Sequence, residues 1–386
     1  MKWSWRIGSL AGIGLHVHAT FFILIAWIAF HHWRMHQNVM AVVSGVGFIM
    51  ALFACVVLHE LGHALAARRF GIGTKDITLL PIGGLARLER MPKDPLQEFL
   101  VAIAGPLVNV VIAGAIFAGL LLSGQPILIR PEEGVEVPFL TQLMFVNVAL
   151  VIFNLLPAFP MDGGRVLRAL LATRMTHRDA TMYAASVGQS MAIAFAIVGL
   201  MANPFLLLIA LFVWVGAAQE AEAAKINAAL EGLTVESAML TDFAVLSPDD
   251  SLGHAVKLTL AGDQKDFPVV ADDQVVGVLS QTNTIAELSQ QGTSARVGQV
   301  MQKEVKCVQQ HELLTNLLER LGAEPARTFP VMNGDRFVGW LTMDNVGEMM
   351  MFQNVMRARR KGKLADEASD ESFPTSDPPA FTHSHA

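Results

Sequence analysis

Residues 39–67 read VMAVVSGVGFIMALFACVVLHELGHALAA, a run long and apolar enough to cross about 30 Å of hydrocarbon. Its only side chains that commonly carry charge are His59, Glu60 and His63. Insertion scales assign about 2.5–3.5 kcal/mol to each charge at mid-bilayer, so three ionisable groups here need an offsetting interaction. The spacing supplies one. Positions 59 and 63 are i and i+4, so both imidazoles project from one helix face within reach of one ion. Glu60 is rotated about 100° away, placed to touch water on that ion rather than to ligate it. Two neutral imidazoles with an adjacent carboxylate are the parts of a zinc hydrolase: the histidines hold Zn²⁺ and the carboxylate acts as general base.

The rest of the chain divides in composition. Its 386 residues are 53% hydrophobic, and the apolar runs are confined to residues before about 222. Six candidate spans stand out, at roughly 15–30, 39–67, 97–122, 139–158, 181–201 and 204–219. The N-terminal stretch lacks a small-residue cleavage pattern after its apolar run, which predicts a retained first helix rather than a signal peptide. Residues 1–222 carry 14 basic and 12 acidic side chains, against 14 and 22 in residues 223–386. An acidic soluble half argues against a nucleic-acid partner. Cys55 and Cys307 fall in different parts of the chain, so no disulfide is expected, and Cys55 reads as a small buried packing residue.

Lys and Arg set the orientation. Lys2 and Arg6 precede span one, Arg68 to Lys93 supply six cations between spans two and three, and Arg165, Arg168, Arg174 and Arg178 lie between spans four and five. The opposite loops carry only Arg34 and Arg130. The positive-inside rule therefore places both termini in the cytoplasm, with the HExxH residues near the cytoplasmic end of span two. Compact loops predict a bacterial inner membrane.

A catalytic zinc needs a third protein ligand. Asp162, after span four, is the sole carboxylate between Glu136 and Asp179, and lies in Asn154-Leu-Leu-Pro-Ala-Phe-Pro-Met-Asp162-Gly-Gly-Arg165. Two prolines break the helix before it and two glycines permit a bend after it. The same pattern suits a helix N-cap. Spans two and four run in the same direction, which brings Asp162 to the depth of His63 and favours the ligand.

HELGHA paired with NLLPAFPMDGGR resembles the site-2 protease family of intramembrane zinc metalloproteases. Pro81 to Arg87 (PIGGLAR) and Ala104 to Asn109 (AGPLVN) are similar to further family stretches, and the resemblance spans roughly residues 10–220. It implies one Zn²⁺ per chain held by His59, His63 and Asp162, with Glu60 as catalytic base. It also implies a substrate cleft that involves Asn154, Gly83, Gly84 and Asn109. Here one residue intervenes between Pro160 and Asp162, a departure from the usual Asn-Pro-Asp-Gly form that bears on Asn154. The pattern around Ile77 to Leu80, the Gly83-Gly84 bend and Leu85 to Leu88 predict a short membrane-embedded β-hairpin. Its free edge could pair with an unwound substrate.

Beyond residue 225 an internal repeat runs at an offset of 62. Val235 and Met239 match Val297 and Met301, Phe267-Pro268-Val269 matches Phe329-Pro330-Val331, and Gly277 and Asn283 match Gly339 and Asn345. Two copies of one α/β unit follow. They resemble the tandem CBS domain, whose clefts often bind adenosine nucleotides. The resemblance implies an adenine-nucleotide site at Ser280, Asn283, Thr342, Asp344 and Asn345, although asparagine stands where the family's ribose-binding aspartate is usual.

The expected architecture is thus a multi-pass α-helical membrane protein of about six spans, followed by an α/β tandem CBS domain. Its boundaries are a metalloprotease domain at 1–222, a linker at 223–233, repeats at 234–290 and 296–352, and a basic then disordered tail at 357–386. The expected activity is intramembrane zinc endopeptidase cleavage of transmembrane or membrane-anchored substrates, modulated by the CBS pair. Anti-sigma factors and tethered transcription factors are the partners the resemblance implies, with homodimerisation through the CBS module. A CBS-gated transporter or channel shares the layout but needs neither HExxH nor DGG. A catalytically silent zinc-binding relative would lack Glu60.

Overall fold

The chain begins in strands, not in a helix. In the computed structural model, which describes residues 3–81, 83–92, 94–124, 137–321, 328–353 and 356, β1 (Ser4–Leu10) turns through Ala11 and Gly12 into β2 (Ile13–His18). Both turn residues have positive φ, 51° and 85°, as a tight hairpin turn requires. Helix α1 (Ala19–His36) follows, then α2 (Val39–Arg69), whose first turn is capped by Asn38 Oδ1 accepting from Met40 N–H at 2.9 Å. Strands β3 (Thr74–Leu80) and β4 (Gly83–Leu88) precede α3 (Pro95–Leu122), which Asp94 caps and Pro95 opens. Then come α4 (Phe139–Asn154), α5 (Asp162–Ala172), α6 (His177–Met201) and α7 (Phe205–Leu230).

Among the described residues four helices, α2, α3, α6 and α7, are long and apolar enough to cross a membrane. The other two of the six expected spans fall on α1 and α4, whose bounds differ from those expected. Span one was drawn from residue 15, but residues 15–18 belong to β2, and the helix that follows ends in His31, His32, Arg34 and His36. Span four is only 16 residues, because α4 ends at Asn154 ahead of Pro157. The segment read as a linker is helical as far as Leu230. The tail from residue 357 and the loop holding Arg130 lie outside the described residues.

The strands of the first unit form one sheet in the order β1-β2-β3-β4, with β2 and β3 parallel and the outer pairs antiparallel. The segment expected as a lone hairpin is therefore half of a four-stranded sheet, with β4 at its edge. One face of the sheet packs on α2. Val17 and Leu79 meet Phe53 and Val57, and Ile13 and Ile77 meet the fully buried Ala64. Small residues on α2 permit that approach, and α2 in turn lies tight on α3: a Cβ at Gly62 would stand 2.8 Å from the Ala104 carbonyl oxygen.

Contacts divide the chain into two units at Lys225 and Ile226. In the second unit, helices α8 (Leu252–Ala261), α9 (Gln281–Gln291), α10 (Val297–Val300) and α11 (Leu314–Leu321) pack with strands β5 (Phe267–Ala271), β6 (Gln274–Leu279), β7 (Val308–Gln309), β8 (Thr328–Asn333) and β9 (Arg336–Thr342). The two repeats exchange their leading segments. Leu240 of the first bonds both ways with Trp340 of the second at 2.8 and 2.9 Å, and Gln302 of the second does so with Val278 of the first at 2.9 Å. A Cβ at Gly277 would meet Met301 Sδ at 2.5 Å, and one at Gly339 would meet Met239 Sδ at 2.6 Å. The 62-residue offset thus appears in space as a pseudo-twofold exchange, with Val235 in the core of the second repeat and Val297 in that of the first.

Candidate metal centre

Two helices bring His59, His63 and Asp162 together. His59 and His63 lie on α2 and Asp162 is the first residue of α5; all three are buried. Asp162 Oδ2 stands 3.1 Å from His59 Nε2 and 3.2 Å from His63 Nε2, and the two Nε2 atoms are 3.1 Å apart. Ligands bonded at about 2.0–2.1 Å around a tetrahedral zinc stand about 3.3 Å from one another, so the triangle fits that ion. Among the described residues these three form the one His, Cys, Asp and Glu group able to share a metal.

The far side of each ring fixes its tautomer. His63 Nδ1 lies 2.7 Å from the Val101 carbonyl oxygen, which can only accept, so Nδ1 carries the proton and donates. His59 Nδ1 lies 3.0 Å from Asn109 Oδ1 and donates likewise. When both imidazoles are neutral, their Nε2 lone pairs face the Asp162 carboxylate. Three such acceptors converge favourably only around a cation. Gly105 on α3 makes the room: a Cβ there would stand 2.6 Å from His59 Nε2 and closer still to His63 Nε2.

The same geometry bears on the N-cap alternative for Asp162. The N-cap of α5 is Met161, which makes no side-chain cap bond, and the Asp162 carboxylate is turned to the histidines instead. Both following glycines are required sterically. A Cβ at Gly163 would come within 2.5 Å of the Leu155 carbonyl, and one at Gly164 would lie 2.7 Å from the Phe159 nitrogen. The Asp-Gly-Gly sequence thus lets α5 fold back on the loop that precedes it.

Glu60 leaves α2 toward the sheet. Its Oε2 accepts the Ala86 N–H of edge strand β4 at 3.0 Å. Gly84 permits the approach, since its Cβ would be 2.7 Å from Glu60 Cγ and 3.0 Å from Val56 Cγ1. Gly84 therefore lies beside the Glu60 side chain, whereas a Cβ at Gly83 would meet nothing within 4 Å; Leu80↔Gly83 and Leu79↔Gly84 are in register. Outside the spanning helices, the Arg87 guanidinium donates to Asp76 on β3 (Nε to Oδ1, 2.8 Å) and holds that carboxyl below the usual range.

The remaining expected residues are placed differently. Asn109 faces the His59 ring rather than the sheet, and Asn154 ends α4, half-buried. Cys55 faces Asn147 on α4 and is not in the donor group. In the second unit, Ser280 Oγ accepts Asn283 N–H at 3.2 Å and Thr342 Oγ1 accepts Asn345 N–H at 3.0 Å, so both hydroxyls work as helix caps. Asp344 lies 3.7 Å from Lys265 Nζ. Sequence reasoning missed the Val101 carbonyl and the Ala86 N–H, because backbone groups leave no residue-type signature. It also missed Glu98, whose only signal was a lone carboxylate at the head of an apolar run.

Comparison with known proteins identifies the family. The peptidase family M50 model matches residues 47–137 and 126–198, and the CBS domain model matches residues 235–289 and 297–348. A zinc metalloprotease of Methanocaldococcus jannaschii is 33% identical over 291 residues, covering 73% of this chain and 80% of that relative. Rip3 of Mycobacterium tuberculosis, named as a zinc metalloprotease, is 27% identical over 375 residues, covering 89% and 92%. The solved site-2 protease from Methanocaldococcus jannaschii is 38% identical, covers 57% of this chain and 95% of its own, and superposes with a TM-score of 0.42. This chain belongs to peptidase family M50, the site-2 protease family of zinc metalloproteases, and carries a tandem pair of CBS domains.

Proposed function

We propose that the protein is an intramembrane zinc endopeptidase that cuts transmembrane or membrane-anchored proteins near the cytoplasmic face of a bacterial inner membrane. The observation that carries this reading is the convergence of His59 Nε2, His63 Nε2 and Asp162 Oδ2 in a buried triangle on helices flanked by apolar surface. These three residues would hold zinc. The ion supplies Lewis acidity, polarising a carbonyl and acidifying water at neutral pH. Glu60 moves the proton: with Oε2 held by Ala86, Oε1 is the atom free to take it from attacking water and return it to the leaving amine. The β4 edge beside Glu60 offers backbone groups to a substrate that has lost its helical hydrogen bonds. Cationic loops support cytoplasmic termini.

The CBS pair would modulate this activity, with an adenine nucleotide at Ser280, Asn283, Thr342, Asp344 and Asn345 as its effector. Tethered transcription regulators and anti-sigma factors suit a membrane-anchored substrate, and homodimerisation suits the CBS pair. The experiment is a comparison of membrane proteomes from cells that express wild type or Glu60→Gln. Anchored precursors should accumulate in the variant while its zinc content stays at the wild-type level. Normal processing by Glu60→Gln would overturn the assignment.

A further inference from the structure

Away from the metal, four helices of the first unit meet around a buried group of charges. Arg168 on α5 donates from Nε to Glu98 Oε1 of α3 at 2.7 Å, with Nη2 2.6 Å from the same oxygen. Its Nη1 donates to Glu220 Oε2 of α7 at 3.2 Å. The guanidinium also lies 5.1 Å from the centroid of the Phe159 ring, in the loop that leads to Asp162. The other Glu98 oxygen faces His177 Nδ1 of α6 at 3.9 Å. Glu98 is 1% exposed and Arg168 5%.

Cohesion alone does not account for such a cluster, since apolar side chains of similar volume commonly hold helices together as well as a buried ion pair does. What a planar, forked guanidinium adds is register: it fixes both the rotation and the height of the helix that bears it. Helix α5 needs that. It has 11 residues and no side-chain cap at its N-terminus, yet its first residue must present one carboxylate oxygen to two imidazoles. The contacts around the loop point the same way. Pro160 lies against Gly216 of α7, where a Cβ would stand 2.5 Å from Cδ, and Ala158 lies against Gly188 of α6 at 3.3 Å.

We propose that Arg168, held between Glu98 and Glu220, is a positioning residue for Asp162: it sets the register of α5 and so the geometry of the third donor. The proposal rests on Asp162 being a zinc ligand. Arg168 touches neither the metal site nor a reacting atom, and acts through the helix and through Phe159.

The test uses the full-length protein, stripped of metal and titrated with Zn²⁺ against a chromogenic chelator, with the visible spectrum of the Co²⁺ form as a second readout. Arg168→Gln should weaken zinc binding about tenfold, the lower end of what loss of an outer support costs a metal site, and should change the Co²⁺ ligand-field bands. Arg168→Lys, which keeps a charge between the two carboxylates, should recover part of both. Glu220→Gln should give a smaller loss, because the Glu98 contact persists. Asp162→Asn separates the two ideas. If it weakens zinc while Arg168→Gln stays within about twofold of wild type with an unchanged Co²⁺ spectrum, Arg168 is a structural brace only. If Asp162→Asn leaves zinc binding intact, the ligand assignment falls and the proposal with it. Should Arg168→Gln fail to fold, Glu220→Gln, altered at the more exposed end of the cluster, decides by its Co²⁺ spectrum: changed bands support the positioning role, and a wild-type spectrum makes the cluster a structural brace only.

Discussion

The Ala86 backbone N–H donates to Glu60 Oε2 over 3.0 Å, joining the edge of a β-sheet to the carboxylate that lies in sequence between His59 and His63, the two proposed zinc ligands. An edge strand ordinarily leaves alternate N–H groups unpaired. Here one of them orients Glu60, the proposed general base. The sheet thus touches the proposed site, and at Gly84 of β4 a side chain would push the strand and Glu60 apart.

That contact predicts the behaviour of Gly84→Ala. The added methyl would press on Glu60 Cγ at 2.7 Å and on Val56, so the carboxylate or the strand must shift. A displacement approaching 1 Å can cost about 100-fold in rate. Turnover should fall by about that factor while zinc content stays at the wild-type level. Wild-type turnover in Gly84→Ala would show that β4 does not set the base.

Asn109 predicts a metal phenotype instead. Its Oδ1 holds the His59 Nδ1 proton, so Asn109→Leu leaves that proton unpaired and frees the ring to turn. Zinc affinity should drop by about 10–100-fold, as for other outer-sphere partners of ligating histidines. Chelator competition measures it, and an unchanged affinity would place Asn109 outside the metal's support.

The Asp76–Arg87 pair predicts a pH dependence with a definite sign. The hydrogen bond from Arg87 lowers the folded-state pKa of Asp76. Its stabilising contribution is therefore complete above the ordinary aspartate value of about 3.9 and disappears as pH falls through the lowered one. Arg87 is partly exposed, which limits the contribution to about 1 kcal/mol or less. Denaturation midpoints of wild type and Arg87→Gln should differ at pH 7 and converge below pH about 4. A gap that stays constant into acid would remove the ion pair as its cause.

In the second unit, Ser280 caps α9 through the Asn283 N–H. Ser280→Ala should destabilise the protein by about 1 kcal/mol with or without an adenine nucleotide present. A loss seen only in the presence of nucleotide would assign the hydroxyl to the ligand rather than to the helix.

How much of this was legible in the chain follows from where each signal lives. His59, Glu60 and His63 are local, and three ionisable groups in an apolar run leave few other readings. The 62-residue repeat was equally plain, because Gly277 and Gly339 recur for one steric reason, the methionine that packs on each. Asp162 stayed open between ligand and cap because that choice depends on a side-chain direction no sequence pattern carries. The β1–β2 hairpin is not legible in the chain, and the end of β2 falls inside the expected first span, because residues 15–18 run into the apolar helix and the Ala11-Gly12 turn is not a typical hairpin pair. The Glu98–Arg168–Glu220 cluster joins residues 70 and 52 positions apart, which only the packed helices bring together.

The central claim is that one zinc ion sits among His59, His63 and Asp162. Anomalous diffraction at the zinc edge from crystals of the full-length protein tests it most directly. The account predicts a single strong peak within about 2.0–2.2 Å of both Nε2 atoms and an Asp162 carboxylate oxygen. A peak coordinated by other residues, or none in protein loaded with zinc, would contradict it.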